Sequence, residues 1–260
     1  MNEGFISVLP AKMYITPFSI CTMVTDEGEY TQMKNSFIEK GFTDCEYLVA
    51  ENIARNNFDA YAAIRRFLKD ASGEYIIIIH QDVRCKDNRA QLELKLQELE
   101  KKDSLWAICG NAGADGYKNF IYNIENKGII KRSKHLPARV SSLDENMLII
   151  KSECQLTVSA DIKGFHFYGT DLCIIADFLG YHCYVIDFLV EHLSAGNIEN
   201  MLQSQPEFIK QYGRKLRHRF IQTTCTKFEL SHSSIRNRLL NSTIVFFWVK
   251  AANRIRNILK

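Results

Sequence analysis

The sequence predicts an α/β fold in which strands and helices alternate around a single sheet, and three observations carry that prediction. Residues 72–83 read SGEYIIIIHQDV, with four consecutive isoleucines. Such β-branched residues are stiff at χ1 and favour extended backbone. A run of this length between polar residues reads as a strand buried on both faces, the usual state inside a parallel sheet. Two shorter apolar runs precede it, each followed by an amphipathic stretch. The resulting βαβαβ order implies parallel pairing through right-handed crossovers.

The first of those strands is Pro17 to Thr25 (PFSICTMVT), closed by the polar turn Asp26-Glu27-Gly28-Glu29. Gln32 to Lys40 is helical, with Met33, Phe37 and Ile38 toward the sheet and Gly41 as its stop. Glu46 to Ala50 is the second strand, ending at Glu51-Asn52. Asp59 caps a helix from Ala60 to Lys69, whose Ala62, Ala63, Ile64, Phe67 and Leu68 pack inward. Gly73 releases the chain into the isoleucine strand, which stops abruptly at His80, Gln81 and Asp82. Ligands bind at the carboxyl ends of strands in open α/β sheets, so an imidazole, an amide and a carboxylate there are placed for chemistry. A plain polar turn is the competing reading.

Asp87 to Lys102 follows as a leucine-rich amphipathic helix, then Leu105 to Cys109 as a strand. The loop Gly110 to Gly116 carries three glycines, which suit either backbone approach to a phosphate or a turn. With no GxGxxG after the first strand and no GxxxxGK[ST], neither the dinucleotide nor the P-loop signature is present. Asn119 to Ile130 reads as a hairpin turning at Asn126-Lys127-Gly128, and Met147 to Ile150 as a short apolar run. A helix continues from Phe165–Cys173 to Gly180, and Tyr181 to Leu189 is a strand.

Eight cysteines are scattered singly with no CxxC pair, which argues against a zinc ribbon and a disulfide-stapled secreted fold. No signal peptide and no run of 18 apolar residues are visible, so a cytoplasmic location is expected. The net charge of +3 conceals an asymmetry. From Pro206 to Lys260 twelve Lys/Arg stand against Glu207 and Glu229, a net of +10, which leaves −7 for the remainder. The tail is expected to be helical, without sheet signals, and to meet an anionic surface. Ile244 to Val249 between flanking arginines and lysines suits a helix lying in the headgroup layer at the inner face of the cell membrane. Nucleic-acid binding and packing of Phe246, Phe247 and Trp248 on the catalytic domain or on another subunit compete; membrane is ranked first and no nucleic-acid partner is expected.

Four motifs, in this order, resemble the family 2-like glycosyltransferases of GT-A fold. They are Gly73-Glu74-Tyr75 leading to His80-Gln81-Asp82-Val83, Ile108 to Gly113, Phe165 to Cys173, and Gly180-Tyr181 through Glu191-His192-Leu193-Ser194-Ala195-Gly196. The nearest branch is the bacterial group whose metal motif reads HQDV. The resemblance covers roughly residues 16 to 197. It implies a GT-A domain over 1–197, Rossmann-like with a mixed, mostly parallel sheet flanked by helices, and a basic helical extension over 198–260.

The resemblance further implies a divalent cation, Mn²⁺ or Mg²⁺, and a nucleotide-sugar donor. Asp82 would be a metal ligand and His192 a second, with His80 touching ribose or the metal's water shell. Asp171 would be the general base of an inverting transfer, or the cap of the helix from Leu172. Thr25, Glu27 and Glu51, with His80 and Gln81, would contact the nucleotide, while Asp144 and Glu145 resemble an acceptor-side acidic segment. The expected activity is transfer of a sugar to a surface polysaccharide or lipid-linked glycan. The alternative is a catalytically inactive nucleotide-sugar-binding or membrane-associated assembly subunit; self-association is left open.

Overall fold

The computed structural model describes residues 13–116, 119–194 and 198–242. Its first half follows the alternation read from sequence: β1 (Thr16–Val24), α1 (Glu27–Glu39), β2 (Glu46–Glu51), α2 (Ala60–Asp70), β3 (Gly73–Ile79), β4 (Val83–Cys85), α3 (Arg89–Lys102) and β5 (Trp106–Gly110). Caps explain where the helices start. Asp26 accepts the Glu29 N–H, Asp59 accepts that of Ala62, and Asn88 exchanges hydrogen bonds with Gln91 in a capping box. Asp26 to Glu29, expected as a polar turn, is therefore the cap and first turn of α1. Glu27 and Glu29 are favourable at the positive end of a helix, and this outweighs Gly28.

The second half supplies β6 (Ala112–Ala114), β7 (Phe120–Asn126), β8 (Ile129–Arg132), β9 (Ala138–Val140), β10 (Ser142–Leu143), β11 (Met147–Lys151), α4 (Tyr168–Phe178), β12 (His182–Val185) and β13 (Val190–His192). The expected hairpin is β7–β8, whereas the glycine-rich loop after β5 is partly strand. The strand expected from Tyr181 to Leu189 stops at Val185.

The main sheet has the order β2-β1-β3-β11-β5-β12-β9. β1 pairs in parallel with β2 and β3, and β12 with β5. β11, however, enters antiparallel between β3 and β5, and β9 is antiparallel at the edge. The fold is thus a mixed α/β sheet flanked by helices, as expected, with parallel and antiparallel pairings in equal measure. A second sheet, β10-β6-β7-β13-β4, stands beside it.

The isoleucine run is buried on both faces. Ile77 and Ile79 join Met33, Phe37, Leu92, Leu96 and Leu99 in one apolar cluster beneath α1 and α3. Ile76 and Ile78 are equally buried and, by strand alternation, face the other way. Each such side chain contributes roughly 1.5–3 kcal/mol through the water it excludes. At the start of β3 a Cβ on Gly73 would lie 2.5 Å from the Ser19 backbone nitrogen. Glycine there allows β1 and β3 to close up, with Ser19 Oγ accepting the Gly73 N–H at 2.8 Å.

Two compact units divide between Ser204 and Gln205. The boundary falls within α5 (Ile198–Lys215), and β14 (Arg219–Gln222), β15 (Lys227–Leu230) and α6 (Ser234–Leu240) follow in the C-terminal unit. The β14–β15 hairpin corrects the expectation of a tail without strands. Arg219-Phe-Ile-Gln and Lys227-Phe-Glu-Leu pair antiparallel, closed by the Thr223 N–H to Thr226 O bond at 2.7 Å. Among the described residues no helix is long and apolar enough to cross a membrane. The apolar run Ile244 to Val249 lies outside the described residues.

Candidate metal centre and ligand cavity

Strand ends from both sheets meet at one place. β3 delivers His80, Gln81 and Asp82, and β13 delivers His192, which the β13–β4 register sets opposite Val83. The Leu193 N–H donates to Asp82 O at 3.0 Å, and the His80 N–H donates to Asn146 O at 3.1 Å just before β11. Backbone pairing alone therefore brings 80–82, 144–146 and 192–193 together from three distant parts of the chain.

His192 Nε2 lies 3.4 Å from Asp82 Oδ2, and His80 Nδ1 lies 4.0 Å from Asp82 Oδ1. One donor atom from each of the three residues falls within 4.8 Å of the others. Donors bound to one first-row ion at about 2.1 Å stand roughly 3–4 Å apart, so these side chains form a group able to hold a metal ion. Burial opposes ionisation of Asp82, but hydrogen bonds from His192 and Ser194 and attraction to both imidazoles outweigh it. The carboxyl is held well below its ordinary range. Burial, which disfavours the charged ring, pushes the His80 imidazole down to about 4, opposed by Asp82 and reinforced by His192 and His166. At neutral pH the group offers a carboxylate and a neutral His80, the states that metal ligation requires.

A cavity of about 790 Å³ opens beside these residues. His80, His192, Asp144, Glu145 and Asn146 line its polar side, and Ile124, Phe165, Phe167 and Met201 its apolar side. Asn146 Oδ1 is buried with no hydrogen-bond partner. Asp144 opens onto the cavity; burial around it raises its carboxyl, opposed by His192. Burial likewise pushes the Glu145 carboxyl up to about 8, although it accepts the Gly169 N–H at 3.3 Å.

The Glu145 shift has a measurable consequence for stability. Below its ordinary value of 4.5 both folded and unfolded chains carry the proton, and nothing is gained or lost. Between 4.5 and about 8 the unfolded chain releases the proton while the folded chain keeps it, so stability falls as pH rises. Glu145→Gln, which retains the acceptor oxygen, is expected to stabilise by about 1–3 kcal/mol at pH 8, discounted for partial exposure. It should change little at pH 4. Urea denaturation at both pH values in metal-free buffer checks this, and parallel curves for the two proteins would refute it.

The other residues singled out from sequence fall in different places. Gln81 does not line the cavity: its Oε1 accepts the N–H groups of Thr25 and Asp26 at 2.8 and 3.1 Å, and its Nε2 donates to Thr25 Oγ1 at 2.9 Å. Gln81 and Thr25 thus latch the end of β1 to the end of β3. Glu27 and Glu51 are exposed at the carboxyl ends of β1 and β2, on the same sheet edge as His80 but outside the cavity lining. Asp171 is not among the residues that line the cavity. It is fully buried, and its two oxygens accept from the Ser159 N–H and hydroxyl, each at 2.6 Å. Because α4 begins at Tyr168, Asp171 lies inside its first turn rather than at its cap.

Sequence reasoning passed over Tyr168, which is wholly buried and hydrogen-bonded to His80. No local pattern announces it: only the fold shows that its hydroxyl is buried and therefore needs a partner.

Fold and site together define an α/β protein with a His-Asp-His group, able to hold a metal ion, beside a strand-end cavity. The chain belongs to the same family as the protein named ATP synthase subunits region ORF 6 of Fuscovulum blasticum. It is 32% identical to that protein over 209 residues, spanning 76% of this chain and 84% of that one. No family model matches the sequence. Among solved structures, A197 from STIV is similar at a TM-score of 0.42 and 13% identity, over 68% of this chain and 85% of that one. S. aureus TarS 1-349 is similar at a TM-score of 0.42 and 12% identity, over 68% of this chain and 60% of that one. Both structural likenesses are shallow.

Proposed function

We propose that the chain is a metal-dependent inverting glycosyltransferase that moves a sugar from a nucleotide-sugar donor to a surface polysaccharide or lipid-linked glycan. The observation that supports this reading is the His80–Asp82–His192 group at the rim of a cavity whose polar wall carries Asp144 and Glu145. His80, Asp82 and His192 would hold a divalent ion, Mn²⁺ in preference to Mg²⁺ because imidazole suits it better. That ion would supply the positive charge that a departing diphosphate needs. Glu27 and Glu51, at neighbouring strand ends, would contact ribose and base, with Thr25 held in position by Gln81. Asp144, the carboxylate that opens onto the cavity, would take the acceptor hydroxyl's proton as its oxygen bonds the anomeric carbon and the bond to diphosphate breaks. In this scheme Asp171 orders the Ser159 turn behind the site.

A thermal-shift screen of nucleoside diphosphates with and without Mn²⁺ tests the reading. Ligands that bind only the folded state raise the melting temperature by mass action, and a rise is expected only with ion and nucleotide together. No rise with any base would sink the proposal. Slow release of nucleoside diphosphate from the donor separates an enzyme from a silent donor-binding subunit.

We further propose that residues 206–260 hold the enzyme at an anionic membrane surface. The support is the net charge of +10 over this segment, together with exposed Ile209, Leu216, Phe220 and Leu230 beside Arg214, Arg217 and Arg219. Replacing Arg214, Lys215, Arg217 and Arg219 by glutamine should reduce co-sedimentation with phosphatidylserine vesicles and leave that with phosphatidylcholine unchanged. Equal binding of both proteins to anionic vesicles would refute this.

A further inference from the structure

Resting on the metal-site reading above and deepening it, we infer that Tyr168 fixes the tautomer of His80, so that His80 is a direct metal ligand through Nδ1 rather than a contact for ribose or bound water. The Tyr168 hydroxyl lies 3.1 Å from the Glu145 backbone carbonyl and 2.8 Å from His80 Nε2. A carbonyl oxygen only accepts, and a phenol has one proton to give. Both hydrogen bonds form at once only if Tyr168 donates to Glu145 O and His80 Nε2 carries a proton that it donates to Tyr168. The lone pair of the neutral ring is then on Nδ1, the nitrogen that faces Asp82 Oδ1. A neutral imidazole ligates through its unprotonated nitrogen, and the partner of the other nitrogen decides which one that is.

The surroundings leave Tyr168 little freedom to do otherwise. Its side chain is fully buried. The next residue, Gly169, packs so closely on the 143–145 segment that a Cβ there would lie 2.5 Å from Leu143 O. The preceding turn is pinned by Tyr61, whose hydroxyl donates to His166 O at 3.1 Å. On the other side, the His80 backbone is held by Asn146 O. Phenol and imidazole therefore meet at a position that two packed segments determine, and the ring is oriented before any ion arrives. Tyr168 is thus a positioning residue that acts through His80.

The test uses the full-length chain and has two readouts. In metal-free protein, long-range ¹H–¹⁵N correlation of the histidine side chains, with His80 assigned by its absence in His80→Gln, should show the proton on Nε2. Tyr168→Phe should populate both tautomers. Titration with Mn²⁺, followed by electron paramagnetic resonance, should show affinity about 10- to 100-fold weaker in Tyr168→Phe, whereas packing alone would leave affinity unchanged. No Mn²⁺ binding by the wild-type chain overturns the metal reading and this inference with it. Wild-type binding combined with a proton on His80 Nδ1, or with unchanged affinity in Tyr168→Phe, overturns only the inference. Should Tyr168→Phe fail to fold, the wild-type spectrum alone remains decisive.

Discussion

Asp82→Asn is expected to erase the Mn²⁺-dependent stabilisation by nucleoside diphosphate and to lower sugar transfer about 10³-fold, the scale seen when one preorganised electrostatic contact is removed. The substitution keeps the shape of the side chain. It also leaves untouched the backbone bond from the Leu193 N–H to Asp82 O, which couples the end of β13 to this loop. What disappears is the negative charge, which the neighbouring hydrogen bonds hold in place far below the usual carboxylate range. An amide oxygen between two imidazoles is a weak ligand by comparison, so cation affinity should collapse; the metal-free melting temperature should also fall, because the hydrogen bonds that hold the carboxyl low stabilise the folded chain. Calorimetric titration with Mn²⁺, thermal shift with nucleotide and a donor-hydrolysis assay measure the three quantities separately. An Asp82→Asn protein that still binds Mn²⁺ with wild-type affinity removes the metal from this site, and the transferase reading goes with it.

The first half of the fold was legible because each strand–helix unit carries its own local signals. Asp59 announces α2, and four isoleucines announce β3. The first turn of α1 was missed because Asp26-Glu27-Gly28-Glu29 satisfies turn and helix-start patterns equally, and only the packing of Met33 and Phe37 decides between them. The direction of β11 was not legible at all. Met147 to Lys151 is buried throughout, and an apolar run without alternation says that a strand is interior but not which way it runs. The hairpin β14–β15 was obscured because each strand is only four residues long, too short for an alternation to register within a basic segment.

The site divides in the same way. Asp82 and His192 were readable from motifs at strand ends. Their meeting depends on the β4–β13 ladder, which no local pattern encodes. Gln81 and Thr25 were correctly placed at neighbouring strand ends, yet they are occupied with each other, because side chains at adjacent strand termini that can hydrogen-bond will do so. Tyr168 went unnoticed because its hydroxyl meets the backbone carbonyl of Glu145, 23 residues away in sequence.

Asp171→Asn is expected to act on stability before chemistry, and the size of the loss decides between the two roles open to this residue. Its carboxylate accepts from both the N–H and the hydroxyl of Ser159 at 2.6 Å in a fully buried setting. An asparagine has one acceptor oxygen. In the same rotamer its NH₂ would confront one of these two donors, leaving a donor–donor contact that no solvent relieves. Such a loss costs about 2–4 kcal/mol, whereas Ser159→Ala, which removes only the hydroxyl partner, should cost about 1 kcal/mol. Because both changes act on the same bonds, the double variant should fall short of their sum. Transfer by Asp171→Asn, measured where it is still folded, should stay within about tenfold of wild type, since α4 also carries Tyr168 and a loosened first turn disturbs His80 only indirectly. A general base would behave in the opposite manner: replacing it would leave the denaturation midpoint where it was and depress turnover by about 10²–10⁴-fold. Urea denaturation and single-turnover transfer on the same preparation therefore separate the two. A silent midpoint with lost turnover would return Asp171 to the chemistry and take Asp144 out of it.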